Sequence, residues 1–83
     1  MRGKIDPVGG ARDNLLRTRR YLESIVKRLE EISDHWDYFS KTPTALIPML
    51  RGILETLRDA EAMIEEAKVY MEVTWIFNEL KEE

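Results

Sequence analysis

Residues 46–74, LIPMLRGILETLRDAEAMIEEAKVYMEVT, decide the fold. Leu46, Leu50, Ile53, Leu57, Ala60, Ile64, Ala67, Met71 and Thr74 follow one another at alternating steps of four and three. That spacing predicts a helix with an apolar seam running roughly 40 Å at ~1.5 Å per residue. A helix of that length needs a partner for its seam.

The N-terminal half supplies one. Ala11, Leu15, Thr18, Leu22, Ile25, Leu29, Ile32, Trp36 and Phe39 repeat the same rhythm, with no Gly or Pro between Asn14 and Phe39. Between the ladders lies Ser40-Lys41-Thr42-Pro43-Thr44. Pro43 pushes Thr42 out of helical backbone and suits a helix start. Pro48 implies either a short separate turn before a main helix near Ile47, or a kink. The expected organisation is an N-terminal arm at 1–10, a helix at 11–39, a turn at 40–48 and a helix at 47–80, with a break near 68–72 possible. Asp6-Pro7 would suit a helix start, but Gly9 and Gly10 argue against continuation, at roughly 1 kcal/mol each relative to Ala.

Folding the chain back sets Phe39 opposite Leu46, Ile32 opposite Ile53, Ile25 near Ala60 and Leu15 near Met71. The expected fold is therefore all-α, a long antiparallel helical hairpin of coiled-coil type. Apolar residues remain beside the seam: Tyr21 and Val26 in the first helix, and Ile47, Met49, Leu54, Met63, Tyr70, Trp75 and Phe77 in the second. A face wider than a two-stranded seam suits a four-helix bundle, and two hairpins related by a two-fold axis make one. A homodimer is the expectation. Val69, Val73, Ile76 and Leu80 form a second stripe; with Trp75 and Phe77 they make residues 69–80 apolar nearly all round. These residues, with Leu54, Met63 and Tyr70, are the candidate dimer or protein-binding surface.

Composition narrows the chemistry. The chain has 83 residues, enough for one small domain. It has no Cys and a single His, so disulfides and thiolate metal sites are excluded. No Gln occurs and 35% of residues are charged, a profile of heat-stable proteins. No stretch is apolar enough to span a membrane and no signal peptide is apparent, so a cytoplasmic protein is expected. Phosphate-cradling Gly motifs are absent. Glu61, Glu65 and Glu72 fall outside the seam, and no Glu-x-x-His occurs. His35, between Asp34 and Asp37, is the one residue on which a phosphotransfer role could rest, and no other residue supports it. Ser24, Ser33 and Ser40 have no partner base. No catalytic residue, cofactor or metal is expected.

Charge is uneven. Residues 1–28 hold eight Lys or Arg against three Asp or Glu, and residues 55–83 hold three against nine. An antiparallel hairpin lays these fields side by side, where they cancel at a distance. The alternative is a nucleic-acid contact through Arg12, Arg17, Arg19, Arg20, Lys27 and Arg28. The expected function is a non-enzymatic oligomerisation and protein-binding module.

Overall fold

A computed structural model describes residues 6–82, with side chains as far as residue 80. The described chain is entirely helix and connection: α1 spans Pro7–Asp34, α2 spans Trp36–Lys41 and α3 spans Pro43–Glu82. It forms an elongated hairpin, 64 × 23 × 17 Å, with α1 lying antiparallel along α3.

The first helix begins earlier than residue 11, contrary to the expected arm over 1–10. Asp6 caps it: its carboxylate oxygen accepts the Gly9 N–H at 3.0 Å, its carbonyl accepts the Gly10 N–H at 2.9 Å, and Pro7 takes the first helical position. The cost of two glycines is offset by this cap and by a tertiary contact, since Gly10 lies under the Tyr70 ring. Residues 1–5 of the expected arm lie outside the described residues.

The reversal uses two sharp points in place of a 40–48 loop. At His35 the backbone leaves the helical region, with φ −119° and ψ 37°. The His35 N–H still donates to the Glu31 carbonyl, and the His35 carbonyl accepts from Tyr38 and Phe39, so helix resumes within one residue. At Thr42, held extended by Pro43, the chain turns again, and the Thr42 carbonyl accepts from Ala45 and Leu46 to start α3. Pro48 sits inside α3 without ending it. Thr44 is exposed, so the carbonyl that Pro48 leaves without a donor is within reach of water. No break occurs near 68–72; α3 continues to Glu82.

The buried residues are Ala11, Asn14, Thr18, Ile25 and Ile32 of α1, Phe39 of α2, and Ile53, Ala60 and Ala67 of α3. Ile25, Ile32, Phe39 and Ile53 form one cluster near the tip, flanked by Ala45, Leu46 and Met49. Towards the open end the seam turns small and polar. There Asn14 Nδ2 donates to Glu66 Oε1 at 2.8 Å, and the Thr18 hydroxyl donates to the Asn14 carbonyl at 2.8 Å. Arg28 donates to the Thr56 hydroxyl at 3.4 Å.

This seam differs from the expected one in every second layer. Ala11, Thr18, Ile25, Ile32 and Phe39 face α3 as expected. The alternate layers are Asn14, Tyr21 and Arg28, with Met49, Thr56, Met63 and Tyr70 on α3, all buried or half-buried. Leu15, Leu22, Leu29, Leu50, Leu57, Ile64 and Met71 are exposed. Both choices satisfy the four-three rhythm. In the hairpin Asn14, Arg28 and Thr56 find hydrogen bonds between the helices, and Ala11, Ala60 and Ala67 let the helices approach closely enough to make them.

Candidate association surface

The displaced leucines define the surface. At seven-residue steps α1 carries Val8, Leu15, Leu22 and Leu29, with Trp36 following at the start of α2; α3 carries Leu50, Leu57, Ile64 and Met71. Each stripe lies one position beyond the buried seam. In an antiparallel pair, equivalent flanking stripes fall on the same side of the hairpin. Leu22 accordingly lines one depression with Leu54, Leu57, Ala60 and Ile64, while Leu15 lines another with Ile64, Ala67 and Met71. Val26 and Leu54 widen the face on either edge. Leu22, Leu57 and Ile64 are 42%, 42% and 47% exposed, far from the burial of a core leucine. The opposite side of the hairpin is polar over its middle, with Arg17, Ser24 and Glu31 on α1 and Asp59 and Glu66 on α3, and ends in the exposed Tyr38 and Val73.

The residues expected to form the interface divide. Leu54, Val69, Val73, Trp75, Ile76, Phe77 and Leu80 are exposed. Met63 and Tyr70 instead belong to the internal seam: both are half-buried, and Tyr70 covers Gly10. A helix beginning at residue 11 would leave residues 69–80 to overhang it; α1 starting at Pro7 instead brings Pro7 and Val8 beside Val73, Thr74 and Phe77 to line a shared groove. Trp75 and Phe77 remain 66% and 68% exposed. At the tip, Phe39 is buried and meets Tyr38 edge-to-face at 5.1 Å, whereas Trp36, expected in the seam, is exposed.

The basic residues do not gather into one stripe. Arg12 and Arg19 are seven apart, as are Arg20 and Lys27, but the two pairs occupy different faces of α1, and Arg17 lies on a third. Arg19 pairs with Glu23 at 3.4 Å, and Arg28 is half-buried against Thr56. Among the described residues no cluster of His, Asp or Glu has the grouping of a metal site, and His35 is exposed at the bend. No described helix is long and apolar enough to cross a membrane.

The leucine stripes were misassigned because two overlapping heptads share half their members. Polarity does not separate them correctly: the stripe from Val8 to Trp36 is apolar throughout, whereas that from Asn14 to Arg28 has polar atoms at each step, and this contrast favours placing the leucines inside. Three apolar positions in seven suit a helix with two neighbours. No protein-family model, curated protein or solved structure matches the chain, so its functional reading rests on this geometry.

Proposed function

We propose that this protein is a non-enzymatic helical association module, in which two hairpins pack by their leucine faces into a four-helix bundle that serves in protein–protein interaction. The observation that carries this reading is the strip of exposed apolar residues along one side of the hairpin, centred on Leu22, Leu29, Leu57 and Ile64 and bordered by Arg19, Glu61 and Lys68. The internal seam gives the same direction of argument. Three of its seven buried apolar residues are alanines, so one hairpin buries little apolar surface for a chain of 83 residues. Covering the leucine face supplies what the seam lacks, at about 25 cal/mol per Å² removed from water. The apolar end at Trp75, Ile76, Phe77 and Leu80 extends beyond that face and offers a site for a further protein.

Light scattering with circular dichroism tests the reading. The expected mass is twice 9.8 kDa at micromolar concentration. Leu22→Asp with Leu57→Asp is expected to abolish the dimer, because it places four carboxylates in one interface. A fully helical wild-type monomer at that concentration refutes the proposal.

A further inference from the structure

Granting the self-association proposed above, we infer that the two-fold axis runs parallel to the helices. α1 of one protomer then lies antiparallel along α3 of its partner, with both tips at the same end. Four charges that the hairpin does not bring together point to this axis, and of them only Glu23 has an ion-pair partner, Arg19 on its own helix. Outside the leucine stripes, α1 carries Glu23 and Glu30 at one seven-residue step, and α3 carries Arg51 and Arg58 at another. All four are exposed. Among the described residues the ion pairs are Arg19–Glu23 and Glu65–Lys68, so Glu30, Arg51 and Arg58 take part in none.

Their heights along the hairpin are fixed by the internal seam. Gly10 lies against Tyr70, Asn14 bonds Glu66 and Arg28 bonds Thr56. Extending that register sets Glu30 level with Arg51 and Glu23 level with Arg58, to within about a turn. Within one hairpin these residues stand on opposite outer edges. They cannot meet, because the two helices themselves lie between them.

A two-fold axis along the helices preserves every height and exchanges α1 for α3 across the interface. It brings Glu30 to the partner's Arg51 and Glu23 to the partner's Arg58. Between those pairs Leu22 and Leu29 meet the partner's Leu57 and Leu50, and Val26 meets the partner's Leu54. The fold sets this register, since rotation about such an axis leaves no freedom to slide. One like-charge pair results, Arg12 with the partner's Lys68, and Lys68 already has Glu65 at 3.3 Å. The face also has the size a stable dimer needs. From Leu15 to Trp36 it runs about 30 Å, and two helices make it about 20 Å wide. That is on the order of 600 Å² in projection, against about 800 Å² of accessible surface per partner in a standard interface.

Charge exchange tests the arrangement by dilution in low salt. Glu30→Arg alone and Arg51→Glu alone are each expected to weaken the dimer about tenfold, since each turns two attractive contacts repulsive. The two changes together are expected to return the dissociation constant to within about threefold of the original. A cysteine-free chain allows a second readout. Glu30→Cys protein mixed with Arg51→Cys protein should form the mixed disulfide on mild oxidation. A dimer in which the double exchange is no stronger than the single changes, and in which no mixed disulfide forms, overturns this arrangement while leaving the association intact. A monomer at every concentration overturns both.

Discussion

Gly52→Ala should stabilise the protein, and Gly10→Ala should not. Both glycines lie inside helices, where an added methyl group restricts the unfolded chain and favours helix by about 0.5–1 kcal/mol. They differ in what the new methyl meets. At Gly52 the one neighbour within 4 Å is Arg28 Nη1 at 3.4 Å, the far end of a flexible side chain at ordinary contact distance. The helix gain should therefore survive. For a domain of this size it corresponds to a rise in Tm of roughly 2–8 °C. At Gly10 the methyl meets three carbons of the Tyr70 ring, at 3.1, 3.3 and 3.4 Å. The ring must move by a few tenths of an ångström within the seam, and that cost should cancel the gain, leaving Tm within about 3 °C of the parent. The assay is thermal melting followed at 222 nm, at one fixed protein concentration because association shifts apparent stability. A fall in Tm for Gly52→Ala would mean that a helix or side chain approaches Gly52 more closely than Arg28 does. Equal gains for both variants would mean that Tyr70 does not rest on Gly10.

Asp6→Ala removes the cap of α1 and should cost about 1 kcal/mol, with faster amide exchange at Gly9 and Gly10 by NMR; unchanged exchange would show that the first turn does not depend on Asp6. Ile53→Ala empties the tip cluster and should cost about 2–5 kcal/mol by urea denaturation. In a variant made monomeric by the paired aspartates, Leu54→Ala should cost less than about 1 kcal/mol, because Leu54 is 55% exposed in the hairpin. In the parent, Tm should climb with protein concentration, and a concentration-independent Tm would separate folding from association.

The helices, the antiparallel pairing and the place of the reversal were legible because period and breakers act locally. Alternating steps of four and three over residues 46–74 leave no room for strand, and Pro43 has one effect on Thr42 whatever surrounds it. The start of α1 was not legible. Propensity counts Gly9 and Gly10 against helix, while the Asp6 cap and the Tyr70 ring act for it, and the ring is sixty residues away from Gly10 in sequence. The seam was legible only by halves. Ala11, Thr18, Ile25 and Ile32 belong to both possible heptads, so any reading places them inside. Choosing between Leu15 and Asn14 for the next layer requires knowing whether Asn14 has a hydrogen-bonding partner on the other helix, and Glu66 cannot be identified as that partner before the register is known.

That choice bears on why the protein should be an assembly. Hydrogen-bonded Asn14 and Arg28 fix how α1 sits against α3, because a one-residue slip would strand their polar atoms. They contribute geometry more than net stability, as exchanging water for protein partners gains only about 0.5–1.5 kcal/mol per bond. The leucines have the opposite character. They are non-directional and would tolerate several registers, but they leave a row of exposed apolar side chains along the hairpin. With polar groups in the inner seam and leucines on the outer face, the hairpin acquires a defined shape before it acquires much stability. In the proposed dimer, association adds stability to a face whose layout the inner seam has already set. Reversing the order, with leucines inside and Asn14, Tyr21 and Arg28 outside, would move apolar surface from the proposed interface into the monomer and leave the long faces of the hairpin with less to pair.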